Sequence, residues 1–423
     1  IYAGANNGIL HAFEASNGEE LWGYIPPNVL GNLEKIPSSK ANSTNAIYGV
    51  DGSPVIKDIF FDDTPNDGST NPRWRTILLG ALGAGGHGLY AIDVTDPDNP
   101  THLFAINHDG TQQVVQHWDV DGNKNEFGYR SGNIDPQYDY RKLGETWSTP
   151  RIIRIKVSGK DKWVAVFGGG YNGAVNPNYG SAVFIMDLED QGRLLKVIDI
   201  EDQANVIHNY VFGTVSNNTQ TEFNLANYGL TSYDISCCTL KVYGAGSIRY
   251  SITGDQNGNT MNNLKLRFDE APPGRITLMV SKVNKTDIVN SIPADLSVIT
   301  ADGTNKANYN GAMVYATDLE GKVTKINLTD KGTLYETTTL FNSQSTSDNG
   351  RYIYTRPEVT INNDSNLWLY FGTGNTQKLQ EQSNQVQNRL YGIKDVNFPN
   401  FVKINSPGTV SQCKTSPNCP GGS

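Results

Sequence analysis

The sequence predicts an all-β chain folded as a modified β-propeller of about seven blades, mostly four-stranded antiparallel sheets, with a β-rich insertion. Three observations carry this expectation. Residues 147–197 run Trp147-Ser-Thr-Pro150-Arg-Ile-Ile-Arg-Ile155, Trp163-Val-Ala-Val-Phe-Gly168-Gly-Gly170, Ala182-Val-Phe-Ile-Met-Asp187 and Gly192-Arg-Leu-Leu-Lys-Val197. Four short apolar or alternating runs parted by Gly, Asn, Asp and Lys read as a four-stranded meander. Two other stretches keep the same order of parts. Gly52-Ser-Pro54-Val-Ile leads to Trp74-Arg-Thr-Ile-Leu-Leu-Gly80, Leu89-Tyr-Ala-Ile-Asp93 and His102-Leu-Phe-Ala-Ile106. Thr355-Arg-Pro357-Glu-Val leads to Trp368-Leu-Tyr-Phe-Gly372-Thr-Gly374 and Leu390-Tyr-Gly-Ile393. Finally, Tyr2-Ala3, Gly8, Leu21 and Trp22 recur as Tyr315-Ala316, Gly321, Leu334 and Tyr335, a constant shift of 313. Repeated four-stranded units point to a propeller.

Length and composition agree. The 423 residues fill six to eight blades of about 40 to 50 residues each, so residues 1–412 are expected to be one domain. Within it, 201–288 is an insertion or aberrant blade, and 413–423 is a tail. Gly (43) and Tyr (21) are abundant and amphipathic helical windows scarce, which suits many short strands joined by tight turns. The net charge of −9 argues against a nucleic-acid partner, which would need a Lys/Arg surface to neutralise phosphates. No run of about 18 apolar residues occurs, so no membrane span is expected in this chain. A strand pattern is under way at Ile1 with no initiator Met or signal peptide, as expected of a domain from a longer chain.

In chain order, Tyr2-Ala-Gly-Ala and Gly8-Ile-Leu-His-Ala-Phe13 form a hairpin across Asn6-Asn7, and Glu20-Leu-Trp22 follows Ser16-Asn17-Gly18. This N-terminal hairpin is expected to complete a C-terminal blade and so close the propeller, since open sheet edges invite aggregation. Pro26-Pro27 begins a short helix. Residues 106–144 lose the period and read as a long loop. Residues 201–288 lack the repeat but still alternate, as in Asn263-Leu-Lys-Leu-Arg-Phe268 and Arg275-Ile-Thr-Leu-Met-Val280. The pattern resumes at Gly311-Ala-Met-Val-Tyr-Ala-Thr317 and runs to Ile393, and everything after Phe398 reads as loop.

Few residues suggest chemistry. Asp119, Asp121, Asn123 and Asn125 place oxygens at alternate positions around Gly122, the way a short loop wraps calcium, although a solvated turn uses the same pattern. Asp255-x-Asn257-Gly-Asn259 is a weaker version. Gly83-Ala-Gly-Gly-His-Gly88 lies between strands, so it reads as a tight turn, not a phosphate loop. His11, His87, His102, His108, His117 and His208 have no metal-ligand spacing. Cys413 and Cys419 bracket a short loop suited to a disulfide in an exported protein. Cys237 and Cys238 either close a vicinal disulfide ring or point to opposite sides of a strand.

Several of these motifs together resemble the C-terminal domain of the PilC/PilY family, the type IV pilus tip-associated adhesins and biogenesis factors of Gram-negative bacteria. They are Tyr2-Ala-Gly-Ala-Asn-Asn-Gly-Ile-Leu-His-Ala-Phe13, Leu21-Trp-Gly-Tyr-Ile-Pro-Pro27, Asp51-Gly-Ser-Pro54, Gly80-Ala-Leu-Gly-Ala-Gly-Gly86, Tyr90-Ala-Ile-Asp-Val-Thr-Asp-Pro97, Val166-Phe-Gly-Gly-Gly-Tyr-Asn172, Tyr315-Ala-Thr-Asp-Leu-Glu-Gly321 and Phe371-Gly-Thr-Gly374. The match spans nearly the whole chain outside 201–288. The resemblance implies a non-enzymatic, exported domain at the outer membrane and pilus tip, beyond a more variable N-terminal region. It also implies action in pilus assembly against retraction, twitching motility, host-cell attachment and virulence, with pilin or minor pilin subunits and a host-cell receptor as partners. Family members often carry a calcium loop just before the motif that here begins at Tyr315. This chain has Asp302-Gly-Thr-Asn-Lys-Ala-Asn-Tyr-Asn310 there, with one carboxylate, Lys306 among its residues, and Thr317 in place of the motif's Gly. Calcium is therefore expected at Asp119–Asn125. The rival reading is a quinoprotein (PQQ-dependent) dehydrogenase, whose propellers share the Ala12-Phe-Glu-Ala-Ser-Asn-Gly18-Glu-Glu-Leu-Trp22 style of repeat. Against it stand only six Trp and no motif that places an Asp base or calcium-ligating Glu and Asn.

Overall fold

The computed structural model describes residues 1–34, 47–61, 73–130, 132–171, 179–200, 207–215, 219–235, 238–243, 248–272, 275–282, 290–345, 351–376, 388–404 and 407–409. The chain divides into two units, Ile1–Glu201 with Ile288–Ser423, and Asp202–Asp287. Among the described residues there are seven sheets, five in the first unit and two in the second. No described helix is long and apolar enough to cross a membrane.

Strands β1 (Tyr2–Gly4), β2 (Leu10–Phe13) and β3 (Glu20–Tyr24) form the first sheet. The expectation that they complete a C-terminal blade turns on residues 410–423, which lie outside the described residues; among the described residues β1 pairs only with β2. Leu10, Trp22 and Tyr24 pack on Leu78, Tyr90 and Ile92 of the next sheet. The Pro pair starts a 3-10 turn, Pro27–Val29, that runs into the single turn α1 (Leu30–Leu33).

The second sheet takes β4 (Val55–Phe61), β5 (Arg73–Ala81), β6 (Gly88–Asp93), β7 (Thr101–Asp109), β8 (Val114–Trp118) and β9 (Lys124–Gly128) in sequence order. Its last two strands occupy the stretch expected to be loop. Val115 is fully buried in the core with Phe127 packed against it. Polar side chains pair across the strands as well, Asn107 Nδ2 donating to Gln116 Oε1 (3.1 Å) and Gln116 Nε2 to Glu126 Oε1 (3.2 Å), which adds to the cross-strand stabilisation.

Strands β10 (Arg151–Val157), β11 (Lys160–Gly168), β12 (Ala182–Asp187) and β13 (Leu194–Asp199) make the meander the sequence announces. Both of its faces are buried. Ala165, Phe167, Phe184 and Met186 pack on the second sheet, whereas Val164, Val166, Val183 and Ile185 pack towards the fourth. That is why these runs are continuously apolar instead of alternating.

The second unit holds β14 (Ile207–Val215), β15 (Glu222–Asn224), β16 (Ser232–Asp234), β17 (Cys238–Tyr243), β18 (Tyr250–Asn257), β19 (Thr260–Phe268) and β20 (Arg275–Lys282). One sheet runs β14-β20-β17 and the other β15-β19-β16, with β18 on β19. Leu264, Leu266 and Phe268 are buried while Lys265 and Arg267 between them are exposed, so β19 covers a core on one face only. That core gathers Phe223, Leu225 and Ile276 as well.

The first unit continues with β21 (Ser297–Thr300), β22 (Gly311–Thr317), β23 (Lys322–Thr329) and β24 (Thr337–Asn342), then β25 (Glu358–Ile361), β26 (Leu367–Gly372) and β27 (Leu390–Asp395). Met313, Tyr315 and Phe341 of the fourth sheet pack on Leu369, Phe371 and Tyr391 of the fifth. The five sheets therefore stack face to face in chain order, each lending one face to each neighbour. The tail is more than the expected loop, because β28 (Gly408–Thr409) lies parallel to β24. Lys325 fixes its approach, bonding Asp395 at 2.6 Å and the Asn400 carbonyl at 2.8 Å. Both charged side chains are 1 % exposed, and removing either would strand the other at a cost of about 3 to 5 kcal/mol.

One device recurs where the third strand of a blade ends. Asp93, Asp187, Asn327 and Asp395 each accept the backbone N–H two residues on, at 2.9, 2.9, 3.1 and 3.1 Å. An Asx turn launches the next connection each time.

Candidate binding cavity

The sheets have two unlike ends. At one lie the glycine-rich turns between the second and third strands of each repeat, together with the linkers that enter the next sheet. Linker 143–150 bonds to turns on both sides: Gly83 N–H donates to Thr146 O (3.3 Å), and Gly144 N–H to Gly169 O (2.8 Å). Linker 290–296 repeats this, with Gly170 N–H to Ile292 O (2.9 Å) and Leu319 N–H to Ser291 O (3.0 Å). So does linker 351–357, with Ile353 N–H to Asp318 O (3.3 Å) and Gly374 N–H to Tyr352 O (2.9 Å). Loop backbone that would otherwise need water is satisfied here by neighbouring loop. The approach is too close for side chains, since a Cβ on Gly170 would lie 1.8 Å from the Glu145 carbonyl oxygen.

Polar groups at this end are mostly engaged. The Gly83–Gly88 run is the tight turn the sequence suggests, between β5 and β6. Near it, His108 donates through Nδ1 to Leu143 O (2.7 Å) and accepts Tyr129 O–H at Nε2 (2.8 Å). Burial pushes its pKa down to about 4, so it is neutral and structural at pH 7. In the Tyr315–Gly321 motif, Asp318 accepts the Lys322 backbone N–H (3.0 Å) and Asn290 Nδ2 (3.2 Å). Burial pushes this carboxyl up to about 6, against the pull of Lys322. Glu320 is bonded to Lys322 and to Asn290 beside it. Trp147, 44 % exposed, donates to Glu145 (3.0 Å), whose carboxyl is raised by burial and further by Asp51.

The residues singled out for calcium form the β8–β9 turn. Asp119 Oδ1 accepts the backbone N–H groups of Asp121 (3.1 Å) and Asn123 (2.9 Å), and Oδ2 accepts Asn123 Nδ2 (3.3 Å). Asn125 is already in the ladder opposite His117. Only Asp119 and Asn123 are bonded through their side chains, with Asp119 serving as cap of the turn and Asp121 exposed. Among the described residues no group of three or more His, Cys, Asp or Glu is gathered to hold a metal. Asp255 is engaged by Asn263 Nδ2 (2.6 Å) at the β18–β19 hairpin. Cys237, Cys413, Cys419 and the Cys238 side chain lie outside the described residues.

A cavity of about 720 Å³ runs along the first strands, from their starts at Val55 and Arg151 to the β21–β22 connection at Asp302 and Tyr309. The first strands β4, β10 and β21 border it, with Lys57, Trp74, Arg151, Trp163, Asp302 and Tyr309 in the lining. Each of these strands is an edge of its sheet, so unpaired backbone N–H and C=O groups border the space. The volume lies within the range of ligand sites, about 300 to 1,000 Å³. Trp74 is 62 % exposed. Lining cations outnumber carboxylates three to two, Lys57, Arg151 and Arg154 against Asp161 and Asp302. The Arg154 contact to Asp161, 3.9 Å and exposed, is a weak one. Sequence reasoning placed Trp74 and Trp163 on strands but missed their shared cavity. The usable signal was a Trp near the start of the second strand in two repeats, with Trp74 two ladder positions before the equivalent of Trp163.

The PilY1 beta-propeller domain model matches residues 1–221. The type IV pilus biogenesis factor PilY1 of Pseudomonas aeruginosa (strain UCBPP-PA14) is 30 % identical over 206 residues, 49 % of this chain and 14 % of that protein. A PilY1 homolog of Xylella fastidiosa is 29 % identical over 203 residues, 48 % of this chain and 11 % of that protein. The chain thus spans a small fraction of its curated relatives' length. The crystal structure of the P. aeruginosa PilY1 C-terminal domain aligns over 93 % of this chain and 57 % of its own, at 21 % identity and a TM-score of 0.47. With the PilY1 model covering residues 1–221 of 423, the chain belongs to the PilY1 beta-propeller domain family.

Proposed function

We propose that this chain is a type IV pilus biogenesis and adhesion domain, displayed on the surface of a Gram-negative bacterium, that works by binding and not by catalysis. Membership of the PilY1 family over residues 1–221 carries the reading. An open cavity of aromatic and charged side chains suits recognition. Its partners are pilin or minor pilin subunits and a host-cell receptor, and its outputs are pilus assembly, twitching motility and attachment. The direct experiment replaces the corresponding domain of a PilY1-family protein with this one in a strain whose own copy is deleted. Restored surface piliation and twitching are expected. Full piliation from the same protein lacking any such domain would overturn the reading. Adding pyrroloquinoline quinone and calcium should produce neither a saturable visible absorbance nor dye-linked alcohol oxidation. Calcium at the β8–β9 turn belongs to the same proposal, held by Asp119 and Asp121. Asp119 is already bonded within the turn, so affinity is weak, about 10⁻⁴ to 10⁻³ M.

A further inference from the structure

We propose that the cavity along the first strands β4, β10 and β21 binds an acidic saccharide, with the sugar carboxylate at Lys57 and Arg151 and pyranose faces on Trp74 and Trp163. This does not depend on the pilus reading, because it rests on the chemistry of one cavity. Three independent features converge on that ligand class. The bordering strands β4, β10 and β21 are sheet edges, so they present alternating N–H donors and C=O acceptors. A sugar hydroxyl both donates and accepts, and a row of hydroxyls matches such a row of backbone groups better than a carboxylate-only or purely apolar ligand does. The lining also holds Trp74 and Trp163, and the flat face of an indole packs on the C–H face of a sugar ring while its polar edge stays wet; Tyr309, buried and bonded to the Ile299 carbonyl, only walls the space.

Charge decides between neutral and acidic sugars. On a chain of net charge −9, the lining is on balance cationic. Lys57 and Arg151 come from β4 and β10, whereas Asp302 comes from the connection after β21. The charge is thus divided: the β4 and β10 side suits a carboxylate, and the Asp302 side can accept hydroxyl donors. An extended acidic peptide is the competing occupant, since edge strands also pair with peptides. The exposed Trp74 and the short described run of β21, four residues, favour the compact ring-bearing ligand.

The test titrates the purified 423-residue chain with 3′-sialyllactose and with tri-galacturonate, using lactose and a Glu-rich peptide as comparisons, by calorimetry and Trp fluorescence. Acidic sugars should bind, perturb Trp fluorescence and weaken with salt, and lactose should bind at least about ten-fold more weakly. Trp74→Ala should cost about ten-fold or more in affinity with an unchanged melting temperature, because that ring is largely exposed. Lys57→Gln with Arg151→Gln should reduce acidic-sugar affinity to the lactose level, while Lys124→Gln, a charge removed on β9, leaves it unchanged. No binding at millimolar sugar overturns the proposal. So does binding indifferent to Trp74 and Arg151, or a peptide that binds more tightly than either sugar and displaces it.

Discussion

The two ends of the propeller sheets use the same strands but opposite solutions for their connections. At the glycine-rich end, every inter-sheet linker described is clamped between two turns by backbone hydrogen bonds of about 2.8 to 3.3 Å. Along their lengths towards the hairpins, the first strands β4, β10 and β21 instead border open space of about 720 Å³ with their free edges. The difference teaches where this fold keeps its rigidity and where it can host a ligand. An end whose backbone groups satisfy each other has none left for a partner; an end of sheet edges has many.

Gly170→Ala would break this comparison most forcefully. Gly170 has φ +82°, and its Cβ would meet the Glu145 carbonyl oxygen at 1.8 Å. Left-handed strain and forced displacement of backbone together should cost about 3 kcal/mol or more. The midpoint of chemical denaturation measures it. A loss below about 1 kcal/mol would mean that the clamped end yields easily and is no more rigid than the open one.

Asp318→Asn sharpens the same contrast through pH. The folded-state pKa of Asp318 is raised to about 6, chiefly by burial, so the folded chain holds that proton more tightly than the unfolded chain does. The resulting stability is fully present below the ordinary aspartate pKa near 4 and is lost as pH rises through about 6. The melting temperature of the native chain should therefore fall between pH 5 and 7, by the equivalent of about 1 kcal/mol. In the Asn variant that component of the slope should vanish. An unaltered slope would place the titration elsewhere.

How far the sequence discloses these two ends follows from the forces involved. The meander of residues 147–197 is legible because both faces of its sheet are buried, which leaves continuous apolar runs between turns. The inserted unit is legible as strands, through Leu264, Leu266 and Phe268, but not as a blade, since it covers one face only. Strands β8 and β9 escape detection because their core-packed residues, Val114, Val115 and Phe127, are few and lie among Gln116, Asn125 and Glu126, which composition alone reads as loop. The 313-residue echo correctly aligns β1 with β22, though it says nothing of which sheet the N-terminal strands pack against. Trp22 lies on β3, whereas its echo Tyr335 falls just before β24. The cavity is the least legible feature. Lys57, Arg151 and Asp302 are far apart in sequence, and only stacking of the sheets brings their first strands to one space. The Asp119 pattern, by contrast, is conspicuous in sequence because turn formation and cation binding call for the same residues.

That double use makes Asp119→Ala the next test. It removes the acceptor of two backbone N–H groups and one side-chain amide, all near solvent, so about 1 kcal/mol of stability should go. If the turn also holds calcium, native protein should melt higher in millimolar calcium, and Asp119→Ala with Asp121→Ala should abolish that rise. Stabilisation by calcium that persists in the double variant would assign the ion to another place.

The smallest effect is expected from Gly159→Ala, in the β10–β11 hairpin beside the cavity. Gly159 has φ +82°, the same value as Gly170, yet nothing lies within 4 Å of its prospective Cβ. Backbone conformation is thus matched between the two positions and only the surroundings differ. The left-handed strain alone should cost about 1 kcal/mol, against about 3 kcal/mol or more at Gly170. The gap between the two variants measures what close backbone packing adds at the clamped end, with the intrinsic cost of Ala at this φ subtracted. Equal losses would show that conformation, not packing, sets the cost at both ends, and the contrast between a clamped and an open end would then lose its energetic basis.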